Sequence, residues 1–316
     1  MNSRPKGLPQ VTHTYINHHL DSTRWEVYQP RDTDIIITTS YKCGTTFTQQ
    51  IMYNLLIENT ADAEVFPQLG AVSPWIDSRF FPVSKDRLGP WIESFEHRRF
   101  LKSHLPLDGL PYYAEVKYFI VARDPRDVFM SLLNHYGAYT ESGYKRLDGE
   151  GLEPMPRYDG DPHALFRNWL TRGSFEWEQE GYPFWSNMHH TQSYWDYRHL
   201  PNFLFLHYQD MRNDLPGTVQ KIADFIDRPL DKEELDRIVQ AVSFEKVKQQ
   251  AIAESAELTG DEFFEGGQAT FINQGTNGRW HDLLTEEELD LYRATRDRVL
   301  TPDCASWLET GGEMPN

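Results

Sequence analysis

The chain has 316 residues, 39% hydrophobic and 25% charged, which is enough apolar material for one large α/β domain with a sizeable core or for two ordinary domains. Its formal net charge of -17 excludes bulk binding to nucleic acid or to an anionic membrane by charge alone, so an anionic ligand would need a local cluster of cations. Cys43 and Cys304 make no disulfide framework or metal-ligand series, no stretch reaches the ~20 apolar residues of a membrane span, and Met1 to Gln10 lacks an apolar core, so a reduced, cytoplasmic protein is expected.

Asp34 to Thr39 reads as a short buried strand, β-branched and bounded by polar residues. A helix follows from about Thr45 to Glu58, with Phe47, Ile51, Met52, Leu55 and Leu56 on one apolar face. Phe100 to Ser103 is a further short apolar run. Tyr118 to Ala122 repeats the strand pattern, and Asp124-Pro125 opens a helix to about Tyr136, with Asp124 suited to the N-cap and Pro125 to the first turn. Gly137 to Pro162 has no clear period and reads as a long surface loop, a candidate lid. Phe203 to His207 is another apolar run, and the chain from Leu215 onward is mostly helical apart from the irregular stretch Gly260 to Trp280. Strands alternating with helices predict a central, mostly parallel sheet with helices on both faces and ligands at the carboxyl ends of the strands. No interdomain linker is visible, so a single domain over residues 1–316, with its core at about 34–300, is expected.

The segment Ser40-Tyr41-Lys42-Cys43-Gly44-Thr45-Thr46 joins the first strand to its helix. Amides of a first helical turn and the helix dipole favour an anion there. Gly44 permits close backbone approach, Lys42 adds a cation, and Thr45 and Thr46 add hydroxyls. A nucleotide triphosphatase loop would place its lysine directly after a second glycine; here Lys42 precedes Gly44 and no earlier glycine opens the loop. Arg123 ends the second strand and Ser131 lies two turns into the next helix, a pair fit for a second phosphate. Arg123 could equally pair with Asp124 or Asp127, and Arg126 reads as a solvated charge. His104, after Lys102-Ser103, stands at a strand end where an imidazole could act as a general base. His13, His18, His19, His189 and His190 lie in polar contexts and are expected to be solvated.

Together these residues resemble the cytosolic-type sulfotransferases. The family's phosphosulfate loop, Tyr-Pro-Lys-Ser-Gly-Thr-Thr-Trp, is matched by Ser40 to Phe47, and its Lys-Thr-His segment by Lys102-Ser103-His104. Its 3′-phosphate segment is matched by Val121 to Asp127 with Ser131. Phe205 to Met211 resembles the strand whose tyrosine contacts adenine, here Tyr208, and Ser243-Phe244 a later pair whose ring flanks the base. Gly275 to Trp280 resembles the closing Gly-rich loop. The resemblance implies 3′-phosphoadenosine-5′-phosphosulfate as donor, adenosine 3′,5′-bisphosphate as product and no metal. It assigns the donor to Lys42, Cys43, Gly44, Thr45, Thr46, Phe47, Arg123, Ser131, Tyr208, Phe244 and Gly275, and catalysis to His104, Lys42 and Lys102.

The family's closing loop begins Arg-Lys-Gly, but this chain has Asn273-Gln274-Gly275. Each lost charge-assisted contact costs about 1.5–3 kcal/mol, so weaker donor affinity is expected, with Arg279 a substitute. The family's dimer element is not recognisable in His281 to Asp290, which leaves the oligomeric state open. Aromatics form 14% of the chain, and Trp75, Phe80, Phe81, Tyr136, Tyr139, Trp185 and Tyr194 are candidates for lining an apolar acceptor site, with Trp185 and Tyr194 better read as core. A small or lipid-like hydroxyl acceptor fits better than a charged polysaccharide. A P-loop small-molecule kinase, needing ATP and magnesium, and a non-catalytic nucleotide-binding homologue are the competing readings.

Overall fold

In a computed structural model the described residues are 7–57, 69–149, 151–254, 263–267 and 276–315. Four strands form one sheet: β1 (Ile35–Thr39), β2 (Phe100–Ser103), β3 (Lys117–Ala122) and β4 (Phe203–His207). All pair in parallel in the order β2-β1-β3-β4, with Ile35 opposite both Phe100 and Lys117. The helices are α1 (Thr45–Leu56), α2 (Leu69–Val72), α3 (Lys85–Glu93), α4 (Pro125–Gly137), α5 (Glu141–Leu147), α6 (Pro162–Thr171), α7 (Met188–Trp195), α8 (Tyr208–Asn213), α9 (Leu215–Phe225), α10 (Lys232–Ala241), α11 (Phe244–Glu254), α12 (Glu286–Val299) and α13 (Pro302–Thr310).

The strands are apolar on both faces because both faces are covered. Ile35 and Ile37 pack with Phe100, Phe119, Val121 and the α1 residues Ile51, Met52 and Leu55. Ile36, one residue out of phase, packs the other way with Leu101, Tyr118, Ile120 and the α6 and α7 aromatics Trp169, Tyr194 and Trp195. At the amino ends of β1 and β2 a fully buried ion pair, Asp34 with Arg99, fixes the start of the sheet. Asp34 also accepts a hydrogen bond from Tyr28 Oη at 2.7 Å, so its charge is compensated twice.

The chain runs from β1 outward to β2, then back past β1 to β3. The crossovers therefore reverse direction at β1/β3, and a crevice opens above their carboxyl ends. Asp124 caps α4 by accepting the Arg126 amide, with Pro125 in the first turn, as the residue types dictate.

Several expectations need correction. The segment 137–162 is not a plain surface loop: it contains α5, capped by Thr140, which buries Tyr144 and Leu147. His18, His19 and His190 are buried, because aromatic neighbours cover what the local sequence leaves polar. Arg126 is no solvated charge; it pairs with Asp124 at 2.7 Å and lies over the rings of Trp280 and Tyr292. No helix among the described residues is long and apolar enough to cross a membrane.

Candidate active site

Each strand delivers chemistry at its carboxyl end: Lys42 after β1, Lys102 and His104 at and after β2, Arg123 after β3 and Tyr208 after β4. They meet in one cavity of about 640 Å³. Among the described residues its lining includes Lys42, Lys102, Arg123, Arg146, Arg212 and Arg279 against the single carboxylate Glu245. A strongly acidic chain thus turns its site positive, as an anionic ligand requires. Gly44, Thr45, Thr46, Phe47, Ser131 and Phe244 also line this cavity. Cys43 does not. Its thiol is buried, donates to the Tyr41 carbonyl, and is pushed up to about 12 by burial. Asn273, Gln274 and Gly275 lie outside the described residues.

The loop has the form of an anion cradle. Gly44 is the N-cap of α1 with φ 107°, a left-handed conformation that a side chain resists. A Cβ there would sit 2.8 Å from the Tyr208 ring. The closeness of loop and ring therefore depends on glycine. Lys42 is also left-handed, at φ 61°, which for a residue with a long side chain marks a backbone held by its surroundings. Those surroundings include Tyr41, which stands where the family has proline. It is buried against Phe184 and Trp185, and its oxygen accepts a 2.6 Å hydrogen bond from Trp169 Nε1. Ser40 accepts another, at 2.9 Å, from Asn187.

His104 is buried, and its geometry assigns its tautomer. Nδ1 lies 2.8 Å from the Thr39 carbonyl, which can only accept. The proton is therefore on Nδ1, and Nε2 keeps its lone pair. Burial, then Lys102, holds the imidazole well below the usual histidine range, so it stays neutral and keeps that lone pair. Asp77, which the sequence reading did not single out, orients the whole corner. Fully buried, it accepts from the His104 amide at 3.0 Å, from Trp75 Nε1 at 2.8 Å and from Trp25 Nε1 at 3.0 Å. Trp75 meets the His104 ring edge-on at 4.7 Å and carries the Lys102 ammonium over its face at 4.4 Å. The only signal in the sequence was an Asp two places after a Trp, which is too common to act on.

Burial, reinforced by Arg123 and Lys102, lowers Lys42 to about 7. Burial likewise lowers Lys102 to about 8, opposed by Asp77. Arg123 is buried and reaches Asn277 Oδ1 at 2.7 Å and the Thr276 carbonyl at 3.2 Å, while its guanidinium lies over the Tyr208 ring at 4.5 Å. Neither carboxylate considered for it takes it: Asp124 holds Arg126, and Asp127 accepts the Gly278 amide at 2.7 Å. Among the described residues Arg123 therefore has no carboxylate partner. Arg279 Nε is buried with no hydrogen-bond partner among them either.

The other wall is aromatic: His19, Trp75, Phe80, Tyr139, Phe184, Trp185, Phe263 and Phe264. Trp185 belongs to this wall rather than to the core alone, whereas Tyr194 is core, bonded to the Leu105 carbonyl at 3.0 Å. Phe81 and Tyr136 are not in the lining.

The sulfotransferase domain model matches residues 32–301. The chain belongs to the sulfotransferase family. This sulfotransferase is 29% identical over 308 residues to a glycolipid sulfotransferase of Mycobacterium bovis, with 92% of each chain covered. It is 28% identical over 299 residues to sulfotransferase 1A1 of Canis lupus familiaris, covering 92% of this chain and 89% of that one. Its fold is that of a retinol dehydratase crystallised with androsterone and inactive cofactor PAP (TM-score 0.67, 22% identity, 89% and 84% covered). A mouse sulfotransferase complexed with PAP is equally similar in fold (TM-score 0.67, 18% identity, 94% and 96% covered).

Proposed function

We propose that this sulfotransferase moves the sulfuryl group of 3′-phosphoadenosine-5′-phosphosulfate to a hydroxyl of a small or lipid-like acceptor, with His104 as the general base. The observation that carries this reading is the His104 hydrogen bond to Thr39, which leaves a neutral Nε2 lone pair in a cavity shared with Lys42, Lys102 and Arg123. The donor fits the residues present. The Gly44 cradle would be filled by a single Cβ, and among the described residues Arg123 has no carboxylate partner and the buried Arg279 Nε no hydrogen-bond partner. Bound, the donor supplies an activated sulfuryl group on a phosphate leaving group.

The chain's own residues then divide the work. Amides from Gly44 to Thr46 and the Lys42 ammonium receive the 5′-phosphate and neutralise the charge that grows on it. Arg123 and Ser131 hold the 3′-phosphate, joined by Arg279 and the Gly275 amide, where the family's Arg-Lys pair is replaced by Asn273-Gln274. Phe47, Tyr208 and Phe244 flank the adenine. His104 Nε2 takes the acceptor proton as its oxygen attacks, and Lys102 steadies the sulfuryl oxygens. The aromatic wall suits a hydrophobic alcohol, a phenol or a glycolipid headgroup. The mycobacterial relative's name and the androsterone in the retinol dehydratase complex point to acceptors of the same kind.

Two assays test the reading. Adenosine 3′,5′-bisphosphate without magnesium is expected to raise the melting temperature, and ATP with magnesium to do so far less; the reverse order would indicate a kinase. Labelled donor offered with a panel of phenols, steroids and alkyl glycosides is expected to yield labelled product, and a bisphosphate binder with no turnover would be a non-catalytic homologue. Gly44→Ala is expected to weaken bisphosphate binding by about tenfold, because a left-handed non-glycine residue costs on the order of 1–2 kcal/mol before the Tyr208 clash is counted. Calorimetry checks this, and unchanged affinity would remove the loop from the donor site.

A further inference from the structure

Five hydrogen bonds link the loop lysine to the protein interior. Lys42 Nζ lies 3.5 Å from His135 Nδ1, at the long end of the range. His135 Nε2 is 3.2 Å from Tyr139 Oη, which is 3.2 Å from His19 Nε2. His19 Nδ1 is 2.6 Å from His18 Nδ1, and His18 Nε2 is 2.8 Å from the Pro183 carbonyl. The residues come from the N-terminal segment, the Lys42 loop, α4 and the stretch after it, so no local sequence pattern contains the chain.

Its two ends fix every proton between them. The Pro183 carbonyl can only accept, so His18 carries its proton on Nε2 and accepts at Nδ1. His19 then donates from Nδ1 and accepts at Nε2, and Tyr139 donates to it. The Tyr139 oxygen accepts from His135 Nε2, which leaves His135 Nδ1 as an acceptor. From the other end, an ammonium can only donate, and it meets that acceptor. The opposite polarity would set a lone pair against the Pro183 carbonyl and an N–H against Lys42. Burial disfavours the doubly protonated rings that would break the pattern, and all three imidazoles are held below the usual histidine range for that reason.

We infer that His135, Tyr139, His19 and His18 form a tautomer-locked chain whose function is to offer Lys42 a fixed acceptor and so hold its ammonium over the donor end of the cavity. These are positioning residues, and the inference rests on the proposed role of Lys42. A buried ammonium needs an acceptor before the donor arrives, and an imidazole constrained from the far side supplies one without a carboxylate that would compete with the donor phosphate. The chain also occupies the polar atoms of Tyr139 and His19, both of which line the acceptor wall. An acceptor molecule there meets their rings, while His104 Nε2 receives its hydroxyl.

Long-range proton–nitrogen spectra of the histidine rings, assigned by single His→Gln substitutions, test the chain without any acceptor. His18 and His135 are expected as Nε2–H tautomers and His19 as Nδ1–H; His19 as Nε2–H would overturn the proposal. Tyr139→Phe keeps the ring but cuts the chain, and combined with Lys42→Ala it is expected to release His135 to a tautomer mixture, whereas Lys42→Ala alone leaves it Nε2–H; an unaltered His135 in the double variant would count against the chain. His135→Leu is expected to weaken bisphosphate affinity about three- to tenfold, the worth of one hydrogen bond. His135→Asn, with an amide oxygen near the Nδ1 position, is expected to restore it, and affinity unchanged in His135→Leu would reject the positioning role. Should His135→Leu not fold, Tyr139→Phe carries the affinity test. In Lys42→Ala the Pro183 end still fixes the tautomers, so unchanged bisphosphate binding in that variant would sink the role of Lys42 while leaving the chain intact.

Discussion

His104→Ala is expected to lower sulfuryl transfer by about 10²–10⁴-fold while leaving affinity for adenosine 3′,5′-bisphosphate nearly unchanged. The separation follows from where the ring is tied. Its Nδ1 is spent on the Thr39 carbonyl and its backbone amide on Asp77, so the side chain's remaining function is the Nε2 lone pair. Labelled-donor turnover and calorimetry with the product read the two quantities separately. Loss of both would show that the ring supports the fold, and loss of neither would end its role as base. The pH profile gives a second check. With His104 held well below its ordinary value, the acid limb of kcat/KM is expected below the usual histidine range. An acid limb at about 6.5, where a solvated histidine titrates, would contradict the buried geometry.

Lys42→Ala is expected to weaken bisphosphate binding by about 1.5–3 kcal/mol and to lower turnover by a further ~10²–10³-fold, because in the proposed mechanism the same ammonium binds the phosphate and meets its growing charge. Lys42→Arg is not expected to rescue it, since the broader guanidinium fork does not fit a point-charge position. The lowered Lys42 value, about 7, sets the sign of the pH effect. Near pH 8 the lysine is mostly neutral in the free enzyme, and an anionic phosphate favours its charged form. Binding there is expected to take up a proton, and affinity to fall as pH rises above 7, approaching tenfold per unit where one full proton is coupled. Lys102, lowered to about 8, extends the alkaline limb. Calorimetry in buffers of different ionisation enthalpy measures the uptake; proton release would contradict it.

The proposed donor half of this site is more legible in the sequence than the proposed acceptor half, for a physical reason. Strand β1, its loop and α1 are contiguous, so Lys42, Gly44 and Thr45 carry their relation in their spacing, and the strand ends at His104, Arg123 and Tyr208 follow from a parallel sheet. Asp77, the His18–His19 pair and Tyr139 act through contacts between residues distant in the chain. In sequence His18-His19 looks like a polar turn, and only the packing of Phe184 and Trp185 makes it interior. Segment 137–162 looked irregular because α5 is short and its anchors, Tyr144 and Leu147, bury themselves between charged neighbours.

The acceptor wall is built differently from the donor cradle. Phe263 and Phe264 stand on a short segment joined to the residues after α4 by backbone hydrogen bonds from Thr140 to Phe263 and from Glu265 to Ala138. No sheet strand passes through that seam. A change at Phe263 or Phe264 therefore leaves the strands themselves intact but reaches the site through side chains, since Phe264 meets His135 at 4.7 Å and Phe263 meets Tyr139 at 5.0 Å, just as Phe80 meets Trp75 at 5.5 Å. The aromatic wall can thus be reshaped without touching the sheet, though each such change also resets the contacts around Lys42 and His104.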